Sequence, residues 1–299
     1  MRSRVPLRVV DGAWRHLHRP RLERFTGAVT SVHASGAVLP ASAAPVVAVV
    51  YDLAAIDHPE LHPPRHVAQV QRYVAGLDRA AIVLAISEAT ADRLVGRGVP
   101  AHRVRAIPIG RSELPATEPT TLERGPFVLA VGAPVPRKGF DVLLRAVARL
   151  DERVSVVVVG PPGPQDDELV RLAGELGIGD RYVRPGAVTD EQLAGWYRGA
   201  AALAMPSVEE GFGLPIVEAL AAGTPVVATD IEVFREVTAG GAALVPSGDV
   251  DALAAALEAT VARGPDVERT LAVGQAHVAR YTWAACAAAT LAAHRDATR

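Results

Sequence analysis

The sequence predicts an α/β protein made of two Rossmann-like halves, each with a parallel sheet. Three observations predict it. Short apolar runs alternate with amphipathic, helix-like segments along most of the chain. Some runs, such as Val154–Val159 with Ser155 as its one polar residue, are apolar almost throughout, the pattern of strands buried on both faces of a parallel sheet. Between 112 and 125 the alternation stops in a polar stretch containing Pro115 and Pro119, then restarts. A chain of 299 residues is long enough for two cores.

In order along the chain, residues 2–26 are arginine-rich, carry Trp14 and Phe25, and predict a helix ending near Gly27. A first strand is expected over 28–33 and a stronger one at Val46–Val50. Tyr51, Asp52 and Leu53 sit at the carboxyl end of the second, where doubly wound sheets bind ligands. In the loop that follows, His58, His62 and His66 recur every four residues. Pro59, Pro63 and Pro64 argue against a regular helix there, and no cysteine or matched acid pair completes a ligand set, so no metal site is expected. A helix over 67–77, a strand over 81–86, a Ser87-capped helix to Gly96 and a strand over 104–108 finish the half. The predicted organisation is a first domain over 1–112, a linker over 113–125, a second domain over 126–281 and a closing helical segment over 282–299.

In the second domain strands are expected over 127–131, 154–159, 181–184, 200–205, 225–228 and 242–245. Helices are expected over 140–150, 166–176, 190–199, from about Pro215 to Ala222, over 232–239, over 250–263 and from Val267 to the end. Composition narrows the function. A formal net charge of −2 offers no basic field for nucleic acid. The single cysteine, Cys286, leaves no internal disulfide and suits a reducing compartment. No apolar run reaches the roughly 20 residues of a membrane span, and residues 1–8 lack the apolar stretch of a signal peptide. The expected location is the cytoplasm, with peripheral contact at the inner membrane face through the arginine-rich N-terminal segment.

The stretch from Pro206 to Asp230 carries the chemistry. A buried strand ends at Pro206-Ser207, two carboxylates follow at Glu209 and Glu210, and Gly211 and Gly213 flank Phe212. Pro215 suits a first helical turn, and Gly223 suits its end. The turn Gly211–Leu214 and the helix start present N–H groups and the positive end of a helix dipole, a setting for an anionic ligand. Glu210 before the helix and Glu218 on it can each accept two hydrogen bonds, which suits the vicinal hydroxyls of a hexose or ribose. Lys138 is the only lysine against 30 arginines. With Arg137 it lies in the Gly132–Gly139 loop after the first strand of the domain, where two cations beside backbone N–H groups suit a phosphate.

The segment EGFGLPIVEALAAGTPVV closely resembles the Glu-x7-Glu signature of the retaining, GT-B-fold glycosyltransferases of family four. VGAPVPRKGF resembles the Gly-x4-(Arg)-Lys-Gly segment of that family. YDLAAIDHPELHPP, ISEAT, IPIG and RPGAVTDEQLAGWYRGAAALAMPS resemble its other conserved stretches, and RYTWAACA its last helix, which returns to the first domain. The resemblance covers essentially the whole chain. It implies a metal-independent hexosyltransferase, without cofactor, that uses a UDP- or GDP-linked mannose- or glucose-type donor and a glycan, lipid or small-molecule acceptor. It implies that Glu210 holds the transferred hexose, Glu218 the ribose, and Lys138 with Arg137 the pyrophosphate. Backbone near Gly132 and Val188, and at Gly211, Phe212, Gly213 and Leu214, would line the donor. The acceptor would attack from the face the diphosphate leaves, with the leaving phosphate taking its proton. Two residues depart from the pattern. Ala133 stands where arginine or threonine often follows the first glycine, and Tyr51 stands where a histidine usually lies near the sugar. A phenol is the poorer proton relay at neutral pH. His33, on the neighbouring strand, is the nearest other histidine, and as a lone histidine it reads as structural. Against the family the first domain reads as incomplete by two to three βα units, about 60–90 residues. The alternative function is a catalytically impaired nucleotide-sugar-binding or partner subunit. A nucleotide-sugar epimerase is a third reading, against which the Glu-x7-Glu context argues.

Overall fold

The structure, a computed structural model, describes residues 12–14, 19–35 and 38–299. Most of the expected N-terminal helix and of the arginine-rich segment lies outside the described residues; Glu23–Thr26 form one helical turn. The chain folds into two compact units. One comprises the described residues up to Gly110 together with Thr282–Arg299, and the other is Arg111–Tyr281.

The first unit contains a four-stranded parallel sheet in the order β1 (Val32–Ala34), β2 (Val46–Val50), β3 (Ile82–Ala85) and β4 (Val104–Ala106). β2 and β3 are buried along their whole length, as their uninterrupted apolar sequences require. Helix Glu88–Gly96 begins as its sequence dictates: the Ser87 side chain accepts the Thr90 N–H. The helix after β2 starts three residues before its expected position, at Pro64, and runs to Ala75. Proline costs nothing in a first turn, where its missing N–H would have had no partner, so Pro63-Pro64 opens this helix rather than preventing one. The preceding stretch also contains two short turns, Ala54–Asp57 and Pro59–Leu61. The first strand likewise shifts, from 28–33 to Val32–Ala34, because only there does the chain pair with β2.

The second unit has six parallel strands: β5 (Phe127–Val131), β6 (Ser155–Val159), β7 (Tyr182–Gly186), β8 (Ala202–Met205), β9 (Val226–Thr229) and β10 (Ala243–Val245). Their order is β10-β9-β8-β5-β6-β7. Successive connections run outward from β5 in one direction and from β8 in the other. The carboxyl ends of β5 and β8 therefore border the crevice where strand order reverses, the place where open α/β sheets bind ligands.

The segment expected as a linker is part of this unit. Thr120 N–H donates to the Gly195 carbonyl at 2.9 Å, and Arg198 donates to the Pro115 carbonyl at 2.7 Å. Gly195 and Gly199 leave helix Asp190–Gly199 bare on that side, so the proline-containing segment around Thr117–Thr120 lies directly on it. The C-terminal helix expected from Val267 is two helices, Pro265–Val278 and Trp283–Ala297. The break comes at Tyr281, which is buried. Its carbonyl accepts the Arg111 N–H, and Thr282 caps the second helix by accepting the Ala285 N–H.

Candidate functional site

Two loops of the second unit meet at the switch point. The first leaves β5 at Gly132, passes through the turn Pro136–Lys138 and enters helix Phe140–Val147 at Gly139. The second leaves β8 at Pro206 and enters helix Leu214–Ala222 at Gly213. They are laced backbone to backbone. Val208 N–H donates to the Arg137 carbonyl at 2.8 Å, and the Arg137 guanidinium donates to the Glu209 carbonyl at 3.1 Å. Gly139 is left-handed (φ 63°), and a Cβ there would run into the carbonyl oxygen of Pro206. Only glycine permits both the turn and the approach.

This lacing places Lys138 beside Glu210. Lys138 Nζ is 2.6 Å from Glu210 Oε1, Arg137 NH1 is 3.0 Å from the same oxygen, and Ser207 Oγ donates to it at 3.0 Å. Lys138 is almost fully buried, and its stem crosses Gly132, where an added Cβ would lie 3.2 Å from Lys138 Cε. Burial opposes ionisation of Glu210, but the charges of Lys138 and then Arg137 outweigh it and hold the carboxyl below the usual glutamate range. The two cations and the first acid thus form one charged cluster, with Lys138 buried and Arg137 a quarter exposed. The sequence reading gave them separate ligands; the fold joins them.

Glu218 has a different environment. It is 5% exposed on helix Leu214–Ala222, with Oε2 accepting from the Tyr197 hydroxyl at 2.9 Å. Burial pushes its carboxyl up, hydrogen bonds from Ser112 and Tyr197 partly offset this, and Asp190 adds to the upward push. Tyr197, Ser112 and Ser207 escaped the sequence reading. Tyr197 fits the apolar stripe of its helix and reads as core; Ser207 reads only as the end of a strand.

The turn between the acids completes the site. Gly211, Phe212 and Gly213 are buried, and the N–H groups of Gly211 through Leu214 donate to no carbonyl among the described residues. They are donors at the start of a helix. Gly213 has φ 95°, and a Cβ there would approach the Phe234 ring to 2.9 Å. The Phe212 side chain points into protein, edge-on to Tyr281 with ring centroids 5.2 Å apart. Val188 lies after β7, just before the capping box of Thr189 and Gln192 that opens helix Asp190–Gly199.

Tyr51 and His33 belong to the first unit. Tyr51 is half exposed at the carboxyl end of β2, beside a cavity of about 220 Å³ shared with His66, Gln69 and Tyr73. His33 is not alone: its Nδ1 lies 3.1 Å from His294 Nε2, and His294 Nδ1 lies 2.8 Å from Ser31 Oγ. These contacts tie the last helix to β1. Among the described residues no three His, Cys, Asp or Glu side chains converge as a metal site, and no helix is long and apolar enough to cross a membrane.

The model of the glycosyl transferases group 1 family matches residues 117–271, just over half of the chain and nearly all of the second unit. The chain belongs to this family. It is 29% identical over 280 residues to O-antigen chain mannosyltransferase B of Escherichia coli, covering 88% of this chain and 73% of that protein. It is 39% identical over 176 residues to D-inositol 3-phosphate glycosyltransferase of Mycolicibacterium smegmatis, covering 57% of this chain and 40% of that one. The solved sucrose-phosphate synthase of Thermosynechococcus elongatus superposes with a TM-score of 0.77 at 25% identity, over 92% of this chain and 75% of the other. The group 1 glycosyltransferase described here therefore has the GT-B architecture, two units each built on a parallel sheet, with the family match centred on the unit that carries Lys138, Glu210 and Glu218.

Proposed function

We propose that this protein is a retaining hexosyltransferase that takes a mannose- or glucose-type hexose from a UDP- or GDP-linked donor and passes it to a glycan, lipid or small-molecule acceptor. The observation that carries the reading is the largely buried cluster of Lys138, Arg137 and Glu210 beside the N–H groups of Gly211–Leu214, which donate to no carbonyl among the described residues. Departure of a nucleoside diphosphate builds negative charge on the leaving phosphate. Fixed cations and helix N–H groups stabilise that charge with little reorganisation. Lys138 is shared between the acid that would hold the hexose and the phosphate that would leave it. The charge on both sides of the breaking bond is thereby linked through one ammonium. Glu218, one helical stretch away, receives the ribose diol, and backbone at Val188 meets the base. Retention follows from attack on the face that the diphosphate vacates, the leaving phosphate taking the acceptor proton.

Tyr51 favours a second reading, a nucleotide-sugar-binding subunit without turnover, because a phenol replaces the usual imidazole. Release of UDP or GDP from the matching nucleotide hexose, followed with a panel of glycan, lipid and small-molecule acceptors, separates the two. Acceptor-dependent release that disappears in Glu210→Gln supports the transferase. Tight donor binding with no release across the panel supports the subunit.

A further inference from the structure

We propose that Tyr197 is a positioning residue for nucleotide recognition: its buried hydroxyl fixes the Glu218 carboxylate in the orientation that receives the two ribose hydroxyls. The inference rests on the donor-site reading given above.

Tyr197 lies in helix Asp190–Gly199, packed against helix Leu214–Ala222, and is among the largest side chains with no meaningful exposure. A phenol hydroxyl in a core is costly unless it finds a partner, whereas phenylalanine would bury the same ring free of that demand. The partner here is Oε2 of Glu218, 2.9 Å away. Tyr197 also holds the Glu218 helix through its backbone. Thr224, which follows that helix and is itself buried, donates its hydroxyl to the Tyr197 carbonyl at 2.5 Å. One residue therefore attaches to the acid-bearing helix twice, at the acid and just beyond its C-terminal end. The two attachments oppose sliding and rotation of that helix along its neighbour. Ser112, in the segment after Gly110, gives the carboxylate a second hydroxyl, and Asp190, at the start of the Tyr197 helix, is the charged group that acts on it.

A carboxylate that grips a vicinal diol must present its acceptors at a fixed angle, because both hydroxyls bind at once. Free rotation about the terminal bond of a glutamate is broad, so nothing in the side chain itself supplies that angle. The Tyr197 hydroxyl supplies it.

The test is Tyr197→Phe in the full-length protein, titrated by calorimetry with UDP and GDP and with the 2′,3′-dideoxy form of whichever nucleotide the wild type binds. The expected result is a Kd for the ribonucleotide raised roughly tenfold, as for one hydrogen bond to a charged group. The dideoxy nucleotide should bind wild type and variant alike, and kcat at saturating donor should stay within about twofold. The loss of affinity on acidification should begin at higher pH in the variant, because the hydroxyl favours the ionised carboxylate. In a Glu218→Gln background Tyr197→Phe should add less than about twofold. Equal losses for the ribo- and dideoxy nucleotides would show a merely structural tyrosine and overturn the inference. So would a Glu218→Gln effect with no Tyr197→Phe effect, which would leave the donor site standing. A wild type that binds neither nucleotide, or a Glu218→Gln change without effect, overturns the donor site and the inference together.

Discussion

Lys138 pairs with Glu210 and, on the proposed reading, also holds the donor phosphate, so its removal should have two separable consequences. As a charge-assisted phosphate contact it should be worth about 1.5–3 kcal/mol of donor binding. Arg137, more exposed and 3.0 rather than 2.6 Å from Glu210, should be worth less. Lys138→Ala also leaves Glu210 buried with only Arg137 and Ser207. Breaking a buried pair typically costs about 3–5 kcal/mol, and the two remaining partners should hold the loss to the lower end. The paired variant Lys138→Ala with Glu210→Gln should recover part of the melting temperature without recovering donor affinity. The two acids should fail differently. Glu210, joined to the cations, would on the proposed reading act as charge develops, so Glu210→Gln should lower kcat. On the proposed reading Glu218 would contact a ribose that hardly changes during reaction, so Glu218→Gln should raise the donor KM. Their pH signatures also differ in sign. The folded state lowers the Glu210 pKa, so its stabilising ion pairs persist above the ordinary glutamate range and are lost only as pH falls through the lowered value. The pKa of Glu218 is raised, so its ionised form is disfavoured by the fold and protonates first on acidification. Donor affinity should therefore weaken while the Lys138 cluster is still intact, and Glu218→Gln should abolish that limb in titrations across pH. A lone lysine and two acids among glycines stand out in the chain as candidate site residues. Their pairing across 72 positions does not, because it depends on which strands end side by side.

At the scale of elements, the site is held by glycines that let backbones touch. Gly139→Ala would place a strained left-handed alanine against Pro206 and separate the two loops. A stability loss of about 3 kcal/mol is expected, with donor binding lost alongside it. Chemical denaturation should show a lower midpoint with an unchanged slope. Strand and helix existence in the second unit was legible because its runs are either almost wholly apolar, as in β6 with four consecutive valines, or amphipathic with caps, as in helix Asp190–Gly199. What local pattern missed was context. Pro63-Pro64 reads as a breaker until Pro64 is seen to occupy the first turn of a helix. Residues 267 onward read as one helix because nothing local announces that Tyr281 turns inward to meet Phe212. The Pro115–Thr120 segment reads as a linker because its docking depends on two glycines some 80 residues later.

For the molecule as a whole, every residue assigned to the donor lies in Arg111–Tyr281, a continuous and compact unit. That fragment should fold and bind a nucleotide sugar without the rest of the chain; circular dichroism and calorimetry on it would check both. Tyr51 and its neighbouring cavity belong to the other unit. The most direct test of the central claim, that the Lys138–Glu210 cluster is a nucleotide-sugar site, is titration of the full-length protein with UDP-glucose and GDP-mannose. Saturable binding of at least one is predicted, weakened by roughly tenfold or more in Lys138→Ala. Absence of binding by the wild type at millimolar donor, or binding that Lys138→Ala leaves unchanged, would contradict it.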